Sequence, residues 1–168
     1  MPWVFLADRA ASGGEIDPLH AAKYKEFREL AFQLVLHAQD AGEEGRDLVG
    51  GLVLAGGGRA SLPSAQSARI VAGLAAMLND PSVTPPQERT RELVRLLPCV
   101  RFLRQLAAGP QTSPLLKEGA RTTWGIRSAV WDPRMPGEAS ALTLMAVSET
   151  LRALDAMAHQ AGEAVKEK

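Results

Sequence analysis

The amino-acid sequence predicts an all-α fold, a helical bundle of about five helices that forms a single domain over residues 1–168. Apolar residues recur at helical spacing in several long segments, and Pro, Gly and Ser residues separate these segments. A chain of 168 residues is long enough to bury one sizeable core. The candidate strands are too few and too scattered to form a parallel sheet. They are Trp3–Leu6, Leu52–Ala55 and Ile126–Trp131.

The first predicted helix runs from about Pro18 to Ala41. Asp17 is a favourable N-cap, Pro18 suits the first helical position, and Gly42 is a natural stop at the C-terminal end. The apolar side chains between these ends follow the spacing of one helix face. They are Phe27, Leu30, Ala31, Leu34, Val35 and Ala38.

Two more helices are predicted on either side of a glycine-rich segment. The first spans about residues 46–55 and ends at the glycines that follow it. The second begins after Ser64, which can cap it, and runs to about Leu78. Small residues give this helix short side chains, so a neighbouring helix can approach its backbone closely. These residues are Ala72, Gly73, Ala75 and Ala76.

The next predicted helix begins at a capping box, a T-x-x-Q pattern formed by Thr84 and Gln87, with Pro85 at the first helical position. Its apolar residues continue at helical spacing to Leu106. Pro98 lies inside the helix and predicts a kink or a split, because proline has no N–H to donate.

The remaining chain is predicted to contain two helices with an irregular segment between them. A short helix is expected over residues 113–121, followed by irregular chain near 122–137. The expected apolar anchors of the irregular chain are Trp124, Ile126, Val130 and Trp131. A long amphipathic helix then spans about residues 139–165. Its predicted apolar line is Leu144, Val147, Leu151, Leu154, Ala158, Ala161 and Val165.

Composition restricts the classes of function. The formal net charge is zero, so the whole molecule has no attraction for nucleic acid or an anionic membrane. Cys99 is the single cysteine, which excludes an internal disulfide and fits a buried core thiol. No apolar run approaches the roughly 18 residues of a membrane span, and no signal peptide is recognised, so we expect a cytoplasmic protein without membrane contact. The three histidines lack metal-ligand spacing, and we expect neither a metal nor a cofactor.

Overall neutrality hides a basic middle of the chain. Residues 87–134 carry nine Lys or Arg against four Asp or Glu, and no acidic residue lies between Leu93 and Leu116. Arginines interleaved with Trp124 and Trp131 suit phosphate contacts and base stacking. Alternatively, the arginines form a solvated face that pairs with the acidic N-terminal segment. The candidate nucleic-acid contacts are Arg89, Arg91, Arg95, Arg101, Arg104, Arg121 and Arg127.

The stretch LVLAGGGRASLP contains three consecutive glycines after an apolar run. It lacks the Lys and Ser/Thr of a P-loop and the third glycine of a dinucleotide-binding fingerprint. It is similar to the opening strand and loop of the nucleotidyltransferases that activate sugars or molybdopterin. That resemblance implies that Gly56, Gly57, Gly58 and Arg59 hold a nucleoside triphosphate.

The residues by themselves favour a flexible corner between helices at this stretch. Gly50 and Gly51 precede it in the middle of an apolar run, where each costs about 1 kcal/mol against alanine in a helix. They therefore indicate that a neighbouring helix or a partner chain packs close to this backbone.

A second resemblance lies in the last helix. Arg152 and His159 form an R-x₆-H pattern that resembles the motif of the HEPN-type ribonucleases, which are also helical. The resemblance implies RNA cleavage by these two side chains. An exposed polar stripe explains the same spacing equally well.

Together these observations favour a non-enzymatic interaction or assembly subunit that works by contact. Its partners are expected to be other proteins or a second copy of the chain. In the narrower version, the basic middle also contacts RNA or DNA in a nucleoprotein complex. The alternatives are a nucleotide-binding enzyme that uses the Gly56–Arg59 loop and a ribonuclease that uses Arg152 and His159.

Overall fold

The computed structural model describes residues 2–14, 16–56, 59–60, 62–111, 116 and 123–166, and it confirms the all-α fold. The described helices are α1 (Pro2–Ala11), α2 (Pro18–Gln33), α3 (Ala38–Ala41), α4 (Ser67–Leu78), α5 (Pro86–Leu106) and α6 (Gly137–Lys166). A 3₁₀ turn covers Arg46–Leu48, and β1 (Ala55–Gly56) pairs antiparallel with β2 (Arg59–Ala60). Within these ranges, none of the helices has the length and apolarity needed to cross a membrane.

Helix α4 is the centre of the bundle. Ten of its twelve residues are buried, and it packs against α1, α5 and α6. Most of its length joins the main core, which includes Phe102 of α5 and Ala146 of α6. Ala76 and Met77 join a second cluster around Phe5. Because α4 is rich in short alanine side chains, neighbouring helices can pack close to it on several sides.

Residues 2–11 form a helix, so the prediction of a strand at Trp3–Leu6 is wrong. Phe5 is fully buried, and its ring meets the edge of Tyr24 at a centroid distance of 5.1 Å. Asp8 accepts a hydrogen bond from the Tyr24 hydroxyl at 2.8 Å, and Asp8 Oδ2 lies 2.6 Å from His20 Nδ1. A strand would place Phe5 and Asp8 on opposite faces, whereas helical spacing directs both toward α2.

Helix α2 starts as predicted but ends at Gln33 rather than Ala41. The Asp17 side chain accepts from the backbone N–H groups of Leu19 and His20, which confirms the predicted cap. Beyond Gln33 the chain pairs with residues 50–53 instead of continuing the helix. Leu36 N donates to Gly51 O, Gly50 N to Leu36 O, and Val53 N to Leu34 O, at 2.8–2.9 Å. This pairing also explains why no α-helix spans residues 46–55, where the 3₁₀ turn forms and β1 begins at Ala55.

Gly50 and Gly51 lie against helix α5, so the close neighbour predicted at these positions is a helix of the same chain. Gly50 has φ +91°, and a Cβ at this position would collide with the carbonyl of Pro98. A Cβ at Gly51 would collide with Pro63 and lie 2.9 Å from ring atoms of Phe102. The two glycines therefore allow the backbone of residues 50–51 to touch α5 directly.

Helix α5 begins one residue later than the capping box predicts. Thr84 does not cap it, because its hydroxyl donates to Met77 O at 2.9 Å and accepts from Arg28 Nη1 at 3.0 Å. Pro85 is the N-cap residue, without a side-chain cap bond, and Pro86 takes the first helical position. The helix then continues through Pro98 to Leu106, so the predicted split does not occur.

Helix α6 forms as predicted, but the face that it buries differs from the predicted one. Small and medium side chains meet the bundle, and the large leucines of the predicted apolar line face solvent. The alanine-rich surface of α4 accounts for this choice, since small residues on both helices permit close contact. The buried residues are Ala139, Leu142, Thr143, Ala146, Thr150 and Ala153.

Residues 123–136 are irregular, as predicted. Ile126 is buried and forms a bridge with Ala107, but Trp124 and Trp131 are exposed, so their prediction as core anchors is wrong. Trp124 has φ +70°, which directs its backbone through a turn rather than an extended strand. The short helix predicted at 113–121 lies outside the described residues, apart from Leu116.

Candidate interaction surfaces

Two of the predicted nucleic-acid contacts, Arg91 and Arg95, belong to an ionic network between α2 and α5. Its centre is Arg28, which is only 4% exposed. Arg28 Nη1 donates to Val83 O and Thr84 Oγ1, at 3.2 and 3.0 Å, so the guanidinium ties α2 to the turn before α5. Its other nitrogens lie 3.3 Å from Glu88 and 3.6 Å from Glu92.

Arg91 and Arg95 complete this network from α5. Arg91 Nε donates to Glu92 at 2.8 Å, and Arg95 Nη1 donates to Glu92 at 3.0 Å and to Glu29 at 3.1 Å. The hydrogen bond from Arg95 holds the pKa of the Glu29 carboxyl below its usual value. Three arginines face three glutamates, so the network is electrically neutral.

The network has an apolar side as well. The Arg95 guanidinium lies over the Phe32 ring, with Cζ 4.1 Å from the ring centroid. Cys99, one turn further along α5, is fully buried, and burial raises the pKa of its thiol to about 12. The prediction of a buried core thiol is therefore confirmed.

The Arg127 guanidinium is also bound within the protein, by backbone carbonyls. Its side chain donates to the carbonyls of Gln105 at 2.8 Å, Leu106 at 3.3 Å and Val130 at 3.1 Å. Arg127 thus caps the C-terminal end of α5, where a cation also favours the helix dipole. Arg89 is half-buried, and its Nε has no hydrogen-bond partner among the described residues. Arg121 lies outside them.

Arg101 and Arg104 differ from the other predicted contacts. Both are exposed on α5, and no carboxylate of the described residues pairs with either side chain. Val94, Leu97, Arg101 and Arg104 follow one another at intervals of three and four residues, so they form one stripe on the solvent side of α5. We call these four residues the α5 stripe.

A groove of about 610 Å³ runs beside the α5 stripe. One wall is Val94, Arg95 and Pro98 of α5, and the other is the chain from Phe32 to Ala38 with Val49. Phe32 and Val35 are buried, whereas Val94 is 61% exposed at the edge of the groove.

Helix α6 carries a second exposed apolar surface. Leu144 and Leu151 are 68% and 54% exposed, Leu154 is exposed, and Val147 is half-buried. Their intervals of three, four and three residues match the spacing of a helix–helix seam. We call these four residues the α6 stripe. It lies beside the face that packs on α4, so both apolar faces belong to the same helix.

The described geometry gives little support to the resemblance to nucleotidyltransferases or to the resemblance to HEPN-type ribonucleases. Ala55–Gly56 and Arg59–Ala60 pair as a hairpin, and the next helix starts only at Ser67, whereas a phosphate loop leads directly into a helix. Gly57 and Gly58 lie outside the described residues. Arg152 and His159 are exposed on α6, and Arg152 donates to Glu149 at 3.1 Å. No group of metal-ligating side chains occurs in the described part of the chain.

The glutamates of the network were missed by the sequence interpretation, although a signal was present. Glu88 and Arg91, and likewise Glu92 and Arg95, are opposite charges three residues apart, which predicts pairing along one helix. Arg28 and Glu29 had no comparable signal, because their partners lie more than 50 residues away.

The comparisons with known proteins add no relative: no family model, no curated protein and no solved structure matches this chain.

Proposed function

We propose that this chain is a non-enzymatic assembly subunit that binds another protein chain, or a second copy of itself, through its exposed apolar surfaces. The α6 stripe is the single observation that carries the proposal. Isolated exposed leucines are ordinary on a protein surface, but apolar side chains aligned over successive helical turns mark a contact site. Covering this stripe removes apolar surface from water, which is the main driving force of association.

The neutral network supports the same proposal. Arg91 and Arg95 meet carboxylates of this chain, so they add little attraction for a polyanion. By contrast, Leu144 and Leu151 of the α6 stripe are more than half exposed.

The test compares the size of the chain in an extract of its native cells with its size after purification. The wild-type chain should elute from a sizing column in a complex well above its own 17.9 kDa. The double variant Leu144→Gln/Leu151→Gln should shift toward the size of the single chain. A matched control, Val4→Gln/Leu19→Gln, replaces exposed apolar side chains on α1 and α2 and should elute like the wild type.

Two results would refute the proposal. In one, the wild-type chain elutes as a single chain in a fresh extract. In the other, it elutes in a complex that the α6 variant leaves unchanged. The variant must show the helical circular-dichroism spectrum of the wild type, so that a loss of the complex reports on contact.

We also propose the narrower version, contact with RNA or DNA, but only through Arg101 and Arg104 of the predicted arginines. Its support is that Arg101 and Arg104 are exposed and unpaired among the described residues. Phosphate contacts make affinity fall as salt rises, by a slope that reflects the number of contacts. Arg101→Ala/Arg104→Ala should weaken binding to any sequence and flatten this slope. Absence of binding to RNA and DNA at low salt would refute this version.

A further inference from the structure

We infer that the groove beside α5 binds a short amphipathic helix of a partner protein, with carboxylates on the flank that faces Arg101 and Arg104. The inference rests on the proposed function and names the class of partner for a second surface of the same subunit.

The size and lining of the groove fit the apolar face of a helix. Its volume of about 610 Å³ lies in the range of pockets that accept several side chains. Phe32, Val35 and Pro98 line it with apolar surface, and Val94 continues that surface onto the exposed edge. A partner helix presents apolar residues at i, i+3 or i+4 and i+7, which suits a groove of this kind.

The charges beside the groove define the polar flanks of the partner. The α5 stripe continues beyond Val94 and Leu97 into Arg101 and Arg104, which meet no carboxylate of the described residues. The opposite wall leads into α3 and the following turn, where Asp40, Glu43 and Glu44 are exposed. A helix with carboxylates toward α5 and a neutral or basic flank toward α3 is complementary to both sides.

Nucleic acid fits this surface less well than a peptide. A phosphate backbone would use Arg101 and Arg104, but it would leave Val94, Leu97 and the apolar groove uncovered. Arg95, which lines the groove, is already paired with Glu29 and Glu92. The same stripe thus offers two cations, without a carboxylate partner in the described part of the chain, next to an apolar surface, which is the complement of an acidic amphipathic helix.

The test uses a fluorescent peptide of about four helical turns with leucines on one face, glutamates on one flank and glutamines on the other. Fluorescence anisotropy should show that it binds the full chain at physiological salt. Val94→Gln and Arg101→Glu/Arg104→Glu should each weaken binding about tenfold or more, because they remove the apolar edge and reverse the charges. A second peptide with lysine in place of each glutamate should bind Arg101→Glu/Arg104→Glu better than the wild type.

Two variants serve as controls. Arg134→Glu/Arg152→Glu makes the same change of charge away from α5, and Val4→Gln replaces an exposed apolar side chain on α1. Both should bind the acidic peptide like the wild type. Lack of binding by the acidic peptide, or binding that neither α5 variant weakens, overturns the inference.

A third outcome would assign the surface to nucleic acid and would also overturn the inference. In that case an RNA oligonucleotide binds through Arg101 and Arg104, Val94→Gln has no effect, and the acidic peptide does not bind. These results are independent of the sizing test on the α6 stripe, so failure of the groove inference and failure of the assembly proposal can be told apart.

Discussion

Gly50 lies so close to Pro98 that no side chain fits between the two backbones. A Cβ on Gly50 would collide with the Pro98 carbonyl, and the φ of +91° is itself unfavourable for other residues. This contact fixes the segment that follows the 3₁₀ turn against the middle of α5.

Gly50→Ala should lower the free energy of unfolding by about 2–5 kcal/mol, since backbone strain and overpacking add together. Gly13→Ala is the matched control. Gly13 also has positive φ, at +66°, but has open space around it, so only the strain of about 1–2 kcal/mol applies. Urea denaturation of both variants measures the difference. Equal losses would show that the contact with Pro98 is not tight.

Arg28→Met should destabilise the chain by about 3–5 kcal/mol, because it leaves buried Glu92 with less compensation and frees the Thr84 turn. The control, Arg134→Met, breaks the exposed pair with Asp132 and should cost less than about 1 kcal/mol. Thermal unfolding of the two variants checks this contrast. A cost for Arg28→Met as small as that of the control would show that the network does not hold α2 on α5.

The stability of the chain should fall in acid. Hydrogen bonds from Tyr24, His20 and Arg95 hold the pKa values of Asp8 and Glu29 below their ordinary 3.8 and 4.5. A folded-state pKa below the unfolded one gives stability that is present above the unfolded pKa and is lost as pH falls through the folded pKa. Asp8→Asn should therefore lose less stability than the wild type between pH 5 and pH 3, about one unit on either side of the unfolded pKa.

Denaturation midpoints measured across this pH range test that expectation. Tyr24→Phe is the companion variant, since it removes the largest contribution to the lowered pKa of Asp8 but keeps the carboxyl. Its pH dependence should fall between those of the wild type and Asp8→Asn. Identical pH profiles for all three proteins would contradict the role of Asp8.

Cys99 should be unreactive in the folded chain. Burial raises the pKa of its thiol to about 12, so little thiolate exists at neutral pH and reagents cannot reach it. A thiol-specific chromogenic reagent should react only as fast as the protein unfolds, and at once in denaturant. Rapid reaction of the native protein would show that the core around α5 is open.

Local sequence patterns predicted most of the helices. They failed where contacts with distant segments of the chain determine where a helix begins or ends. Asp17 and Pro18 located the start of α2, because a cap depends on neighbouring residues. The end of α2 at Gln33 was missed because residues 34–36 pair with 50–53, a contact that spacing does not reveal. The same holds for Thr84, whose hydroxyl forms hydrogen bonds with Met77 and Arg28 instead of capping the start of α5.

The buried face of α6 was missed for a related reason. Hydrophobicity favoured the line of Leu144, Leu151 and Leu154, but the alanine-rich surface of α4 accepts the smaller residues. Of the predicted arginine contacts, Arg101 and Arg104 are exposed and meet no carboxylate of the described residues, whereas Arg91 is exposed but paired. Sequence spacing does not distinguish them, because the partners of Arg95 and Arg127 include groups far along the chain.

Matched glutamine substitutions on α6 test which of its faces belongs to the core. Leu151→Gln should change the free energy of unfolding by less than about 0.5 kcal/mol, because the side chain is exposed. Ala146→Gln should cost about 2 kcal/mol or more, since it forces a polar side chain into a fully buried position. The opposite order, measured by urea denaturation, would show that the leucines face the core.

We propose that another chain covers the α6 stripe in the cell. Because Cys99 is buried, Leu151→Cys introduces the one readily accessible thiol of the described chain. This thiol should label rapidly in the purified protein and at least about tenfold more slowly in a fresh extract of the native cells, whereas Arg134→Cys should label rapidly in both, because Arg134 is exposed and lies outside the proposed surfaces. Equal labelling rates for Leu151→Cys in the purified protein and in the extract would show that no other chain covers the α6 stripe.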